Sequence, residues 1–206
     1  DEEADIKEVI DADFILTPSH GASITAKLIS KAKSLKLIQL CGAGYDNVDL
    51  EAANKAGIPV ARSADQNSKA VAQLAFTLMT ILSRGLLEAD REIKKGNYQL
   101  VREKLRREDA YELEGRHLCI LGIGPIGKEM AKIGSFFGAK LYYYDIIRLS
   151  PEDEQKMKLT FLEFTDFLKT ADILTLHLPL NSKTHKIIGH KELALMKDSA
   201  LIINTS

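Results

Sequence analysis

One stretch of this chain restricts its fold more than any other. Residues 118–145 read LCILGIGPIGKEMAKIGSFFGAKLYYYD, in which an apolar run, a glycine loop, an amphipathic segment and a second apolar run follow one another. Apolar residues of the amphipathic segment recur at the spacing of one helical face, at Ile126, Met130, Ile133 and Phe137. Gly138 is placed to end that helix. The stretch therefore predicts two parallel strands joined by a helix.

The loop in this unit has the spacing G-x-G-x-x-G, formed by Gly122, Gly124 and Gly127, and Asp145 ends the second strand 18 residues later. In dinucleotide-binding units the first glycine allows the tight turn, the second admits the pyrophosphate, and the third lets the helix pack against the sheet. The helix start presents unpaired N–H groups to the phosphates. An acid at the position of Asp145 binds ribose hydroxyls and repels a 2′-phosphate, which predicts NAD rather than NADP. Arg148, three residues further on, is able to weaken that preference.

Strand-like and helical patterns alternate on both sides of this unit. ADFILT, KLIQLC and IPVARS each precede a helical pattern, and FLEFTDFLKT, DILTLHL, ELALMK and ALIINTS continue the alternation after it. Such an order is typical of βαβ units, so we expect an α/β protein with parallel sheets rather than a sandwich or a bundle.

The segment that separates the two α/β blocks begins with AVAQLAFTLMTILSR. Gln73, Thr77, Thr80 and Arg84 form one narrow polar stripe on an otherwise apolar helix, which we expect to be covered on several sides, between domains or subunits. A membrane helix is the alternative, but Arg84 and Gly85 interrupt the apolar run. The charge-rich stretch EADREIKKGNYQLVREKLRREDAYELEGR is interpreted as a solvated connection or an arm that reaches a partner subunit.

Composition favours a small ligand over a macromolecular one. The chain has 28 basic and 29 acidic residues and a formal net charge of -1, so no global field favours nucleic acid or an anionic membrane as partner. Both cysteines, Cys41 and Cys119, lie in apolar, strand-like runs and are expected to be free thiols, which fits a cytoplasmic location. No metal site is predicted.

Several separated motifs together resemble the D-isomer-specific 2-hydroxyacid dehydrogenases, of the glycerate, hydroxypyruvate or glyoxylate reductase and phosphoglycerate dehydrogenase type. The motifs are, in chain order, LKLIQLCGAGYDNVDLEAANKAGIPVARS, QNSKAVAQLAFTLMTILSR, ELEGRHLCILGIGPIG, Asp145, ADILTLHLPLNSKTHKIIG and ALIINTS. The resemblance implies reversible hydride transfer between NAD(H) and a small 2-oxo or 2-hydroxy acid.

The resemblance also implies an architecture of two lobes. Residues 1–66 correspond to the first part of a smaller, flavodoxin-like substrate lobe, into which a Rossmann-type, doubly wound NAD lobe is inserted. Residues 67–206 correspond to that NAD lobe, incomplete at its C-terminal end. The chain is expected to be truncated at both ends, because the family's arginine, glutamate and histidine that act on the substrate would follow Ser206. We therefore expect no catalytic residue in this chain, and assign His177 to structure and nicotinamide-side contacts rather than to acid catalysis.

Binding residues are carried over from the family position by position. Gly42, Ala43, Gly44 and Asn67 match the part that surrounds the substrate, with the loop amides receiving its carboxylate. The positions that match the cofactor site are Gly122, Gly124, Pro125, Ile126, Gly127, Asp145, Leu178, Pro179, Thr184, Thr205 and Ser206.

Two departures and two rival readings accompany the resemblance. Family members often carry arginine where this chain has Pro125, so a pyrophosphate contact is lost and a lower cofactor affinity is expected. LTPSHGAS lacks the arginine that phosphoglycerate-type members place near this loop, which favours an unphosphorylated acid such as hydroxypyruvate or glyoxylate. One alternative is an NAD(H)-sensing, corepressor-like binding protein without turnover. The other is an enzyme with a related cofactor lobe, such as an alanine dehydrogenase, against which CGAGYDNVDLEAANKAGIPV argues. A homodimer is expected from the apolar helix and the family.

Overall fold

The computed structural model describes residues 2–18, 21–63, 65–107 and 111–206. By contacts between residues the chain divides into two compact units. The first consists of Asp1–Asn67 with Pro179–Ser182, and the second of Ser68–Leu178 with Lys183–Ser206. The sequence predicts a boundary between residues 66 and 67 and places residues 179–182 in the cofactor lobe, whereas the observed boundary follows Asn67 and residues 179–182 group with the first unit.

The first unit is built on a parallel three-stranded sheet with the order β1-β2-β3. Its strands are β1 (Phe14–Pro18), β2 (Leu37–Cys41) and β3 (Val60–Arg62), and its helices are α1 (Glu2–Val9), α2 (Ala26–Lys31) and α3 (Leu50–Lys55). The side chains of Thr25 and Asp49 cap α2 and α3 by accepting hydrogen bonds from backbone amides. Ile38 and Leu40 of the central strand point to the same face and are fully buried, whereas Cys41 on the other face is exposed.

The second unit contains a parallel five-stranded sheet with the order β6-β5-β4-β7-β8. Its strands are β4 (His117–Leu121), β5 (Lys140–Tyr144), β6 (Leu159–Phe161), β7 (Ile173–Leu176) and β8 (Leu201–Asn204). Its helices are α4 (Ser68–Ser83), α5 (Leu86–Lys94), α6 (Tyr98–Arg107), α7 (Pro125–Phe136), α8 (Pro151–Met157), α9 (Phe164–Thr170) and α10 (His190–Leu193). Counted within the unit, this strand order is 3-2-1-4-5, which is that of a Rossmann sheet. The predicted α/β class is confirmed.

The strand order reverses between β4 and β7, and these two strands are the most deeply buried of the sheet. Leu118, Ile120 and Leu174 are fully buried, because helices cover both faces of a parallel sheet. The reversal opens a crevice at the carboxyl ends of β4 and β7, which is where doubly wound sheets bind ligands. The first β-α-β unit predicted from the sequence leads directly into this crevice.

Helix α4 is covered on one side only within the described chain. Ala72, Ala75 and Met79 are fully buried, whereas the leucines of the opposite side, Leu74, Leu78 and Leu82, are 53%, 37% and 49% exposed. Its threonines satisfy their hydroxyls locally, since Thr77 and Thr80 donate to the carbonyls of Gln73 and Phe76. Among the described helices none is by itself long and apolar enough to cross a membrane. The pair α4 and α5, bent by 61°, meets the length and composition test only jointly.

Candidate dinucleotide site

The glycine loop lies in the crevice between β4 and β7. The chain leaves β4 at Gly122, and the amide of His177, which follows β7, donates to the carbonyl of Leu121 over 2.8 Å. Gly122 has a φ of 92°, which favours glycine. A Cβ there would also lie 2.6 Å from the carbonyl oxygen of His177 and 2.8 Å from Cδ2 of Leu178. Backbone conformation and close packing therefore both require the first glycine.

The other two glycines of the motif have opposite surroundings. A Cβ at Gly127 would overlap the carbonyl oxygen of Gly122 and lie 3.2 Å from Cγ2 of Ile120, so this glycine lets helix and loop approach each other. At Gly124, by contrast, a Cβ would meet nothing within 4 Å, and the φ of -68° and ψ of -165° suit any residue. Neither packing nor conformation explains a glycine at position 124. The space beside it is open to a ligand.

The first turn of α7 lies beside this open space, and its first amides have no partner within the helix. Gly124 is the N-cap and Pro125 the first helical residue, where a missing N–H removes no helical hydrogen bond. The amides of Ile126 and Gly127 precede the first intrahelical bond, which runs from Lys128 N to Gly124 O over 2.9 Å. A helix start of this kind attracts anions through its N–H groups and its dipole.

Asp145 follows β5 and is tied to the glycine loop. Its Oδ2 accepts a hydrogen bond of 2.8 Å from the amide of Ile123, and its Oδ1 accepts one of 3.3 Å from the amide of Ile147. The position of Asp145 after the strand agrees with the sequence pattern, whereas the hydrogen bond by which its carboxylate holds the loop joins residues 22 positions apart and has no signal in the sequence. Ile146 and Ile147 beside it are 87% and 75% exposed, so the carboxylate is bordered by apolar surface.

Arg148 is engaged by a neighbouring carboxylate. Its Nε and Nη2 donate to the two carboxylate oxygens of Glu154 over 2.8 and 3.0 Å, and its guanidinium lies 5.0 Å from the centre of the Phe161 ring. Glu154 also accepts a hydrogen bond of 2.6 Å from the buried hydroxyl of Tyr143. The hydrogen bonds from Arg148 and Tyr143 lower the pKa of Glu154 to about 2, so the pair is charged at neutral pH. The sequence analysis missed Glu154.

His177 is held in its neutral form. Burial lowers the pKa of its imidazole to about 4. Its Nε2 is 2.9 Å from Oγ1 of Thr175. Within the described residues, the buried Nδ1 of His177 and Oγ1 of Thr205 have no hydrogen-bond partner. These two atoms lie at the carboxyl ends of the paired strands β7 and β8.

The remaining predicted cofactor residues lie after β7 and β8. Leu178 packs against Gly122, and Ser206 donates its hydroxyl to the carbonyl of Leu176 over 2.9 Å. Thr184 accepts a hydrogen bond of 3.1 Å from the amide of Ile187. Pro179 groups with the first unit. In the described chain, no cluster of three or more histidine, cysteine or acidic side chains has the geometry of a metal site.

The predicted substrate residues all belong to the first unit. Gly42, Ala43 and Gly44 form the half-buried loop after β2, and Asn67 is exposed immediately before α4. A residue that the sequence analysis missed supports this loop. Nη1 of Arg62 donates to the carbonyl of Ala43 over 2.6 Å, and its guanidinium lies 5.1 Å from the centre of the Tyr45 ring. The guanidinium of Arg62 therefore lies beside the loop after β2, although the segment LTPSHGAS, residues 16–23, contains no arginine.

Comparisons with known proteins agree with this geometry. Residues 76–206 match the model of the "D-isomer specific 2-hydroxyacid dehydrogenase, NAD binding domain". The chain is 37% identical over 187 residues to a glyoxylate reductase from Thermococcus litoralis, covering 89% of this chain and 56% of that protein.

Solved structures of formate and D-lactate dehydrogenases share the fold. A formate dehydrogenase from Granulicella m. matches with a TM-score of 0.90 and 32% identity, over 97% of this chain and 53% of that one. The D-lactate dehydrogenase from Aquifex aeolicus, solved with NAD and lactic acid, matches with a TM-score of 0.88 and 30% identity, over 98% and 58%. The chain thus spans about half the length of these relatives. The predicted family and its cofactor, NAD, are confirmed, and the chain belongs to the D-isomer specific 2-hydroxyacid dehydrogenases.

Proposed function

We propose that this chain is part of an NAD-dependent D-2-hydroxyacid dehydrogenase. It would carry out reversible hydride transfer between NAD(H) and the C2 carbon of a small 2-oxo or 2-hydroxy acid. The observation that carries the proposal is the arrangement at the crevice of the second unit. There an open glycine, the unpaired amides of a helix start and the carboxylate of Asp145 lie around one site.

The proposal gives each part of the crevice a binding role. The amides of Ile126 and Gly127 would receive the pyrophosphate, which would occupy the open space beside Gly124. Asp145 would accept hydrogen bonds from the adenosine ribose, with one carboxylate oxygen already fixed by Ile123. Pro125, Leu178, Pro179, Thr184, Thr205 and Ser206 would line the rest of the cofactor site. When bound, NAD supplies or accepts the hydride.

Preference for NAD over NADP would follow from the charge of Asp145. The carboxylate repels a 2′-phosphate but accepts a hydrogen bond from a ribose hydroxyl. A hydrogen bond to a charged group raises the affinity roughly 10- to 100-fold. Replacing Asp145 by Ala or Ser should narrow the ratio of NAD to NADP affinity. Unchanged dissociation constants for both cofactors would argue against the role of Asp145.

No residue of the chain receives an acid–base role in this proposal. His177 lies at the carboxyl end of β7, but burial holds it neutral and its Nε2 is engaged by Thr175. An acid catalyst needs a pKa near the working pH and access to the substrate oxygen. We assign His177 to the packing of the crevice.

The substrate would be recognised at the loop of the first unit. The amides of Gly42, Ala43 and Gly44 would receive the carboxylate common to 2-oxo acids, and Asn67 would border the pocket. Unphosphorylated acids such as hydroxypyruvate or glyoxylate remain the proposed substrates. Arg62 weakens the argument against a phosphorylated acid, since it places a cation beside Ala43.

Turnover by the full-length protein tests the proposal. NADH oxidation would be followed at 340 nm with hydroxypyruvate, glyoxylate, pyruvate, phosphohydroxypyruvate and, in reverse, formate with NAD. Turnover of one 2-oxo acid supports the proposal and identifies the substrate. NADH binding without turnover of any acid would instead favour the NAD(H)-sensing protein, for which the reductase and dehydrogenases reported above give no support.

We further propose that the protein is a homodimer. The leucine row of α4, Leu74, Leu78 and Leu82, is exposed along one side, and Phe136 at the end of α7 is 82% exposed. Rows of this kind mark interfaces more often than solvent-facing surface. Leu78→Glu should shift the full-length protein towards monomer in sedimentation, whereas Leu50→Glu, at an equally exposed leucine of the first unit, should not. A wild-type monomer at micromolar concentration would contradict the proposal.

A cytoplasmic location is proposed on the state of the cysteines. Cys41 is exposed and unpaired, and Cys119 is buried and unpaired, with burial raising the pKa of its thiol to about 12. Unpaired thiols are usual where the compartment is reducing. Cell fractionation of the tagged full-length protein would test this, and recovery outside the cytoplasm would contradict it.

A further inference from the structure

The segment after β5 contains an ion pair, Arg148 and Glu154, to which none of the binding roles above has been assigned. Arg148 is the cation nearest to Asp145 in the sequence, three residues after it. In cofactor sites of this kind, an arginine beside the ribose accommodates a 2′-phosphate. In the structure Arg148 is instead paired with Glu154.

Glu154 holds Arg148 in a fixed geometry. The two hydrogen bonds, of 2.8 and 3.0 Å, join the guanidinium fork to both oxygens of one carboxylate, which is the strongest arrangement for this pair. Phe161 lies against the guanidinium, 5.0 Å from its centre to the ring centroid. Arg148 is thus engaged both through its N–H groups and through its flat face.

Glu154 itself is held by the core. Its side chain is only 14% exposed, compared with 60% for Arg148. The hydroxyl of Tyr143, a fully buried residue of β5, donates to its Oε1 over 2.6 Å and accepts from the amide of Leu149 over 2.9 Å. The carboxylate is therefore anchored to β5, the strand that Asp145 follows, and Arg148 is the more exposed partner of the pair.

We propose that Glu154 is a specificity-determining residue, which enforces the use of NAD by holding Arg148 in a bidentate ion pair and so withholding it from a 2′-phosphate beside Asp145. This inference rests on the proposed cofactor site. Two residues would then share the discrimination between NAD and NADP. Asp145 repels the 2′-phosphate, and Glu154 withholds Arg148, the cation that would attract it.

Glu154→Gln tests the inference in the full-length protein. Glutamine keeps the size of the side chain and its hydrogen bond with Tyr143, but its amide N–H₂ opposes the N–H groups of Arg148 and opens the pair. We expect the dissociation constant of NADPH to fall about tenfold, the lower range for a hydrogen bond to a charged group, because Asp145 still opposes the phosphate. The dissociation constant of NADH should change by less than about twofold, since an uncharged hydroxyl gains little from a cation.

Controls separate this effect from net charge and from structure. Glu152→Gln makes the same charge change on an exposed residue of the same helix and should leave the NADPH to NADH ratio unaltered. Arg148→Met combined with Glu154→Gln should abolish the gain. The probes 2′,5′-ADP and 5′-AMP should differ in the same way as NADPH and NADH, because they differ only by the 2′-phosphate.

The outcomes distinguish the two levels of the argument. If the wild type binds neither NADH nor 5′-AMP, the cofactor site itself is wrong. If the wild type binds NADH and a folded Glu154→Gln protein shows no tightening for NADPH and 2′,5′-ADP, Glu154 does not withhold Arg148. A gain that persists in the double variant, or that Glu152→Gln reproduces, also overturns the inference.

Discussion

The half-buried histidine at the end of β7 allows a quantitative test. His177 has a pKa of about 4 in the folded chain because burial disfavours its charged form, against an ordinary value of 6.5. Since the folded pKa lies below the unfolded one, the unfolded chain binds more protons between these values. The contribution of neutral His177 is therefore fully present above about pH 6.5 and is lost as the pH falls towards 4.

The magnitude follows from these two pKa values. Lowering the pH from 7 to 5 protonates His177 in nearly all unfolded chains but in few folded ones, which costs about 2 kcal/mol of unfolding free energy. A folded pKa one unit higher would still give a cost of about 1.5 kcal/mol. Either value is well outside the error of a denaturant midpoint comparison.

The assay compares the full-length protein with its His177→Gln variant. Urea unfolding would be followed by far-UV circular dichroism at pH 7 and pH 5, because this chain contains no tryptophan to report by fluorescence. Other titrating groups act equally on both proteins, so the difference between their pH dependences isolates His177. His190→Gln, at an exposed histidine, serves as the matched control.

The two proteins should lose stability at different rates on acidification. We expect the wild type to lose about 1.5–2 kcal/mol more than His177→Gln between pH 7 and pH 5, as the pKa difference requires. Equal losses of unfolding free energy in both proteins would show that burial does not hold His177 neutral. The imidazole would then be more accessible to water than it is in the structure.

Three further predictions concern stability and are checked by urea unfolding of the full-length protein. Lys158 ends α8 with a φ of 54°, so Lys158→Gly should stabilise by about 0.5–1 kcal/mol, and a loss would contradict the cost of this conformation for lysine. Gly134 packs against Leu118, whose Cδ2 would lie 2.6 Å from a new Cβ, so Gly134→Val should destabilise by about 1–3 kcal/mol, and a neutral result would mean that the helix moves freely on the sheet. Burial alone would raise the pKa of Asp172, but hydrogen bonds from the His117 amide and from Lys197 outweigh burial and lower the pKa. Asp172 therefore contributes to the free energy of unfolding above its unfolded pKa, and this contribution is lost as the pH falls through its folded pKa. Asp172→Asn should remove that part of the acid sensitivity, and an unchanged acid midpoint would refute the assignment.

The β4-α7-β5 unit was predictable because every local signal in it agrees. Apolar runs, the spacing of Gly122 and its partners, the helical face and the placement of Gly138 all indicate the same structure. By contrast, α8 and β6 were not predicted as separate elements. The signal for α8 was present, since Ser150 caps it and a proline and three acids follow, but no residue of it is buried to give a periodic face. The three-residue strand β6 is too short to carry a pattern.

Contacts between residues of different elements were the part of the site that could not be predicted from the sequence. The bond from the Ile123 amide to Asp145 and the pairing of Arg148 with Glu154 depend on how β5, its following loop and α8 meet. The same holds for the support of Ala43 by Arg62, which joins residues 19 positions apart. For helix α4 the sequence predicted more contacts than the described chain makes. Its nearly continuous apolar surface predicted contacts on several sides, but the described chain covers only one side of the helix.

The most direct test of the central claim is the affinity of the full-length protein for NADH after the change Gly124→Ala. Apart from its immediate chain neighbours, the added Cβ would meet no atom of the described residues within 4 Å, and it suits the backbone conformation, so folding should be unaffected. If the pyrophosphate occupies that space, the methyl group overpacks the complex and the dissociation constant of NADH should rise about tenfold or more. Gly189→Ala, at another helix N-cap with extended backbone, should leave it unchanged. An unaltered NADH affinity in a folded Gly124→Ala protein would contradict the assignment of the glycine loop to the cofactor.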